Sequence, residues 1–255
     1  SDNYFYLVSD DSGRAALIDP VDGPTAVAAV RQAELELDWV VNTHFHRDHT
    51  AGDDEVLDEF PHANLLAGPD AERIDVEHPI AKVLTDGDEF HIGGFHASVL
   101  EMPGHTPGHI GILIGDHLFS GDTIFVGGVG NCRFGGDPGV LFRTFRDVIA
   151  PLSDDVTFYP GHDYALPNVE FALSLEPQHA EAREMLERVE RHSDGVFLTT
   201  LGEERSYNPF MRWNDPSLLD ALQTRHGEAL AQQRALSESD GEAAFRTLRE
   251  LRNHW

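Results

Sequence analysis

Short apolar runs interrupted by glycine and ligand-type residues fill the first two thirds of this chain, and helical spacing fills the remainder. Alternating or continuous apolar runs predict strands over residues 4–8, 15–18, 38–42, 64–67, 95–100, 110–114 and 117–119. Helices are expected over 25–32, where Ala26, Val27, Val30 and Ala33 form an apolar stripe, and over 53–60, stopping at Pro61. Glycine turns at Ile92-Gly93-Gly94-Phe95 and Ile114-Gly115-Asp116 join neighbouring strands. Beyond Tyr164 the pattern predicts helices over 169–175, 180–191, 216–223 and 242–253, with Glu184 and Arg188 paired at i,i+4 and Gly195 as a stop. A polar stretch over 224–241 separates the last two, and nothing after Phe197 alternates as a sheet should. The periodicity supports a mixed α/β chain in two parts, 1–166 and 167–255, with the boundary near Pro167. The chain opens on Ser1, so a short leading strand is expected ahead of it.

The strand ends carry the chemistry. Thr43-His44-Phe45-His46-Arg47-Asp48-His49 follows the apolar run Trp39-Val40-Val41, which places three imidazoles and a carboxylate on a loop at a strand's end. Three later segments repeat the order of strand, glycine, ligand: Met102-Pro103-Gly104-His105-Thr106-Pro107-Gly108-His109, Phe119-Ser120-Gly121-Asp122-Thr123 and Phe158-Tyr159-Pro160-Gly161-His162-Asp163-Tyr164. Imidazole and carboxylate suit a transition metal, and a His-x-His pair beside an Asp-His pair offers two half-sites. With fifteen histidines a lone His-x-His pair would mean little, but four strand-end clusters in one order mean more. His62, His78, His91, His96, His117, His179, His192, His226 and His254 are expected to be exposed or locally hydrogen-bonded.

His-x-His-x-Asp-His followed by Gly-His, Gly-Asp and Gly-His resembles the metallo-β-lactamase superfamily. The opening Asp2-Asn3-Tyr4-Phe5-Tyr6-Leu7-Val8, the Gly-His-Asp-Tyr loop and the tail element Tyr207-Asn208-Pro209-Phe210-Met211-Arg212 resemble glyoxalase II, the hydroxyacylglutathione hydrolases, over nearly the whole chain. The resemblance implies an αββα sandwich as the catalytic part and a smaller C-terminal α-helical domain that binds glutathione. It implies that His44, His46 and His105 hold one divalent ion and Asp48, His49 and His162 a second, with Asp122 bridging; zinc is expected, with iron or manganese as alternatives. Asp48 and Asp122 are then the catalytic carboxylates, and His109 supports the ligands. Arg133, Tyr164, Arg249 and Arg252 fall at positions that match the family's glutathione contacts, so the implied reaction is hydrolysis of S-D-lactoylglutathione to D-lactate and glutathione in methylglyoxal detoxification. Arg249 and Arg252, one turn apart in a net-basic last helix, suit a carboxylate, although cations near a helix end can also simply offset its dipole. One departure stands out: where the family has a tyrosine that can contact the peptide, this chain has Gly135, which implies weaker affinity for glutathione or a different thiol carrier. Alternatives are a mononuclear iron persulfide dioxygenase and a thioesterase for another small thiol; a flavodi-iron electron carrier would want a carboxylate where His46 stands.

Composition narrows the setting. No apolar run approaches the roughly 20 residues that span a bilayer, and no signal-peptide pattern opens the chain. The single cysteine, Cys132, excludes an intrachain disulfide and fits a reducing compartment as an ordinary free thiol, so a cytoplasmic monomer acting on a small molecule is expected. There are 45 acidic and 18 basic residues, net charge −27, with Lys82 the single lysine. That balance argues against nucleic acid as a partner, because phosphate binding needs a basic footprint. It points to a halophilic setting in which salt screens dense carboxylates, or to an arginine-rich genome combined with ordinary acidity. Since screening shortens to about 3 Å at 1 M salt, the melting temperature should climb from dilute buffer to molar KCl; a flat or falling midpoint would leave the acidity a compositional accident.

Overall fold

The computed structural model describes residues 2–255; Ser1, and with it the expected leading strand, lies outside them. A first sheet is built from β1 (Tyr6–Ser9), β2 (Arg14–Ile18), β3 (Glu36–Asn42), β4 (Asn64–Ala67) and β5 (Ile80–Val83), hydrogen-bonded in that order. β1 and β2 are antiparallel, and every later pair is parallel. α1 (Gly23–Gln32) connects β2 to β3; Asp22 caps it by accepting from Thr25 N. The one-turn α2 (Arg47–Thr50) and α3 (Asp53–Glu59) connect β3 to β4.

The second sheet takes β6 (Glu89–Ile92), β7 (Phe95–Glu101), β8 (Ile110–Ile114) and β9 (His117–Gly121) as an antiparallel meander. The hairpin β10 (Ile124–Phe125) and β11 (Gly128–Val129) stands apart, and β12 (Thr157–Pro160) then returns parallel to β9, with β13 (Thr199–Thr200) antiparallel on its far side. Gly93 and Gly115 take positive φ at the first position of the turns pairing Ile92 with Phe95 and Ile114 with His117, a conformation glycine adopts at little cost.

Burial on both faces explains why these strands read as continuous apolar runs. In β2, Ala16 and Ile18 meet Val99, Ile110, Ile112 and Phe119 of the second sheet, while Ala15 and Leu17 meet Ala26 and Val30 of α1 and Val56 of α3. In the second sheet Phe119 points into the same inter-sheet core, while its neighbour Leu118 joins Met102 and Phe158 against helices on the outside. The layers are therefore helix, sheet, sheet, helix, in agreement with the expected sandwich.

The outer layer on the second sheet comprises α4 (Pro138–Thr144) running into a π-helical turn (Phe145–Ile149), then α5 (Ala165–Leu175), α6 (Ala180–Arg191), α7 (Leu201–Tyr207), α8 (Pro216–Arg234) and α9 (Asp240–His254). Phe142, Phe145, Phe210 and Phe245 interlock there in tilted or edge-on contacts. No helix among the described residues is long and apolar enough to cross a membrane.

Several elements depart from the sequence pattern. β1 begins at Tyr6 instead of residue 4, because Asn3 bridges to His162 and Tyr4 N donates to Gly161 O. β5, β6, α4 and α7 are additional; β5 has a mostly exposed pattern that alternation cannot flag, whereas Phe90 and Ile92 of β6 alternate as a strand should. α8 runs on to Arg234 across the stretch expected to be a connector, bending at His226, where φ is −134°. β13 supplies a short strand beyond Phe197, where none was expected.

Arg212 ties the helices together. Nearly buried, it donates to Glu176 Oε2 at 2.6 Å and Asp215 Oδ2 at 2.8 Å. Arg212→Ala would leave those carboxylates facing each other without a cation, so we expect about 3 kcal/mol of lost stability in chemical denaturation. A loss below about 1 kcal/mol would show that water replaces the guanidinium.

Candidate metal centre

Five strand ends meet at one rim. β2 ends at Ile18, and Asp19 follows with φ of 53°, turning its carboxylate back under the next loop. There Asp19 accepts from Thr43 N and Thr43 Oγ1, both at 2.7 Å, which fixes the chain leaving β3 and so the start of the His44-to-His49 segment. α2 opens immediately after His46, so Asp48 and His49 leave its first turn. His105 and His109 lie between β7 and β8, Asp122 directly after β9 and His162 directly after β12.

The donor atoms converge in two groups. His46 Nδ1 lies 3.1 Å from His44 Nε2 and 2.9 Å from His105 Nε2. His162 Nε2 lies 3.3 Å from His49 Nε2 and 3.5 Å from Asp48 Oδ2. Asp122 stands between them: Oδ1 is 3.3 Å from His49 Nε2, and Oδ2 is 3.3 Å from His162 Nε2 and 3.4 Å from His105 Nε2. Ligands about 2.0–2.1 Å from a tetrahedral ion are roughly 3.3 Å apart, so the spacing is that of groups closing on a cation. Buried Asp122 Oδ1 and His46 Nε2 have no hydrogen-bond partner, which fits a site completed by something other than protein.

The electrostatics agree. Burial, reinforced by His49 and His109, holds His44 well below the usual imidazole pKa, so its lone pair is free. Burial also works against protonation of His49, but Asp122 and Asp19 outweigh it and raise its pKa well above 6.5. Burial would raise the Asp122 carboxyl, yet His49 and its other imidazole neighbours keep it well below the carboxylate norm. Both shifts have one cause: buried negative charge on Asp122 and Asp19 favours positive charge in the space between the donor groups.

A second ring of groups fixes the imidazoles. His49 Nδ1 meets Asp19 Oδ2 at 3.0 Å, His44 Nδ1 meets Thr43 Oγ1 at 3.0 Å and His105 Nδ1 donates to Asn131 O at 2.6 Å. His109 accepts from Asp122 N at 3.0 Å and stacks against His44, in keeping with a supporting role. Asp19 also lies close enough to His44 and His49 to form a donor trio, but it faces the Nδ1 side of His49 while Nε2 points inward. Asp19 is the main residue that sequence reasoning missed; its one signal is a carboxylate at the end of a buried strand.

A cavity of about 630 Å³ opens over the cluster, lined by Phe125, Arg133, Tyr164, Asn168, Arg252 and Trp255 among others. Tyr164 stacks on His162 with ring centres 4.9 Å apart, and burial pushes its phenol up to about 12. Arg252 donates from Nε to Asn168 Oδ1 at 3.1 Å and lies over the Trp255 ring, while Arg133 reaches the Asn253 carbonyl. Arg249 also lines the cavity but lies deeper: it is buried, with Nη1 donating to Val129 O at 2.7 Å and Nη2 to Asn253 Oδ1 at 3.1 Å. One turn of α9 thus presents Arg252 to the cavity and sinks Arg249 into its wall.

Two mixed sheets between helices, with histidines and aspartates gathered at one rim, define a metallohydrolase fold, and the family model "Metallo-beta-lactamase superfamily" matches residues 2–162. The model "Hydroxyacylglutathione hydrolase C-terminus" matches residues 163–255. A hydroxyacylglutathione hydrolase from Anaeromyxobacter dehalogenans is 40% identical, covering 90% of this chain and 89% of that one; one from Polaromonas sp. is 36% identical, covering 99% and 95%. Among solved structures, ETHE1 from Myxococcus xanthus aligns with TM-score 0.64 and 28% identity, covering 83% of this chain and 80% of that one. TTHA1623 in a di-iron-bound form aligns with TM-score 0.59 and 26% identity, covering 82% and 94%. The chain belongs to the hydroxyacylglutathione hydrolase family of metallo-β-lactamase-fold enzymes, and with that membership comes divalent-metal binding.

Because Asp19 orients His49 from behind, Asp19→Asn should weaken metal binding by about ten- to a hundredfold while the fold persists. Chelator competition measures this, and unchanged affinity would remove Asp19 from the site.

Proposed function

We propose that this enzyme hydrolyses 2-hydroxyacyl thioesters of glutathione, S-D-lactoylglutathione foremost, releasing D-lactate and glutathione in cytoplasmic methylglyoxal detoxification. The observation that carries this reading is Asp122, in contact with both donor groups at the floor of a cavity whose wall holds Arg133, Tyr164 and Arg252. His44, His46 and His105 would hold one divalent ion and Asp48, His49 and His162 the other, with Asp122 shared; zinc suits the donors, and iron or manganese would also fit. Bound there, the ions supply a water of lowered pKa and polarise the thioester carbonyl.

The chain's own residues do the rest. Asp122 fixes the separation of the two donor groups, and Asn3 steadies Asp48 through its main-chain oxygen at 2.8 Å. Tyr164 and Phe125 wall the acyl side, their rings 5.2 Å apart, and restrict access of bulk water. Arg252 and Arg133 lie where the remote carboxylate of the thiol carrier would reach, and a guanidinium pairs with that group in fork geometry. A thiolate leaves readily, with a pKa of about 8.5, so the site needs no dedicated acid. Residues 167–255 serve as the carrier-binding unit, since α5 and α9 supply Asn168, Arg252 and Trp255 to the cavity. Halophily remains part of this proposal, resting on the charge balance alone. A single-iron dioxygenase would leave the group of Asp48, His49 and His162 without a task.

Asp122→Asn should lose most turnover and part of the bound metal, checked by thioesterase assay with elemental analysis; near-normal turnover with two ions per chain would overturn the shared-carboxylate role. Replacing Arg133 and Arg252 together with Ala should raise KM for lactoylglutathione on the order of tenfold, while a small acyl thioester lacking the carrier carboxylate changes little. Equal effects on both substrates would place these arginines in folding instead.

A further inference from the structure

Beyond its own two-pair ladder, the hairpin between Asp122 and Asn131 is gripped along its tip and return strand by side chains from the helical part. Over five consecutive residues, 126–130, each offers one main-chain polar atom to such a side chain. Val126 O accepts from Asn168 Nδ2 at 3.0 Å, Gly127 N donates to Glu204 Oε2 at 2.9 Å and Gly128 O accepts from Asn208 Nδ2 at 3.4 Å. Val129 O and Gly130 O accept from Arg249 Nη1 at 2.7 and 3.3 Å. Glu204 is the hub. Completely buried in α7, it also accepts Asn208 Nδ2 on Oε2 at 2.8 Å, and Thr199 Oγ1 and the Tyr207 hydroxyl on Oε1 at 2.8 and 2.5 Å.

Both ends of the hairpin touch the metal centre. It leaves from Thr123, next to Asp122, and returns at Gly130 N, which donates to Thr123 O at 3.3 Å. A side chain at Gly130 would come within 1.9 Å of Asp122 O and 3.0 Å of His105 Nδ1, so there is no slack between hairpin and ligands. Asn131 O then holds His105 Nδ1. A buried carboxylate is costly, and here burial pushes Glu204 up to about 7 despite four donors. A group so expensive to bury must be holding something that an apolar side chain would not hold.

We infer that Glu204 is a positioning residue for the metal centre: through Gly127 and Asn208 it fixes the hairpin that sets Asp122 and His105. This rests on the metal-centre reading above. Only Oε2 touches the hairpin; Oε1 serves α7 and β13 alone, which separates positioning from plain stability. Glu204→Gln can keep its amide oxygen toward Gly127 and Asn208, because the Thr199 and Tyr207 hydroxyls can rotate to accept from the amide nitrogen. Glu204→Ala keeps nothing, and Asn208→Ala loosens the same hairpin while leaving the carboxylate in place.

Cobalt(II) titration in the presence of a competing chelator, read by visible absorption at a temperature where circular dichroism shows each variant folded, tests the inference. E204A should bind cobalt about tenfold or more weakly with an altered ligand-field spectrum, E204Q should restore both, and Y207F should lower the melting temperature while leaving both as in the wild type. Should E204A fail to fold, N208A carries the test and should weaken and shift cobalt binding in the same sense. Folded E204A or N208A with wild-type affinity and spectrum would overturn the positioning role, as would Y207F shifting cobalt as far as they do. A wild-type chain that takes up no cobalt would instead sink the metal-centre reading itself.

Discussion

Five imidazoles and two carboxylates are crowded at hydrogen-bonding distances inside this protein, and groups of that kind tolerate one another only around positive charge. Asp122 concentrates the problem, since its carboxylate is almost fully buried and ionised, flanked by His49, His105 and His162. Everything nearby is arranged to present lone pairs inward and to keep the other ring nitrogens occupied. The sandwich provides the geometry: parallel strands ending on the same rim deliver side chains from distant parts of the sequence to one spot, and the loops between them need only be short.

The same constraint orders the remainder of the molecule outward. Asp19, Thr43 and Asn131 hold the imidazoles from behind, and the apolar layer between the sheets keeps the strand ends in register. The helices then take two jobs. They cover the outer face of the second sheet with interlocked phenylalanines, and α9 lines the cavity with Arg249 and Arg252, whose recorded hydrogen bonds go to main-chain and amide oxygens and not to carboxylates.

Much of this was visible in the sequence because strand, glycine and ligand recur as one local unit. The His44-to-His49 segment, His105, Asp122 and His162 could each be found without knowing what lies beside them in space. What escaped were residues whose meaning is relational. Asp19 is an ordinary aspartate until the fold sets it under His49, 30 positions away. Arg249 and Arg252 look alike on a helical wheel, yet depth in the wall separates them, and depth does not show in spacing. α7 is a different case: Thr200 and Glu203 form a capping box, a helix start that is legible in the sequence itself. α8 outran its expected end because a polar stretch can stay helical when one face, through Leu230, still reaches the core.

The two-residue strand β13 gives the C-terminal part a consequence of another kind. β12 pairs with β9 on one side, so without Thr199 and Thr200 its other side would present unpaired main-chain groups at the border of a sheet. The helical part therefore acts as a stopper against edge-to-edge association. It is not an appendage that can be shed or exchanged as a free module: a fragment ending before it would carry an adhesive border, and recombination at the apparent seam would have to bring a replacement strand along.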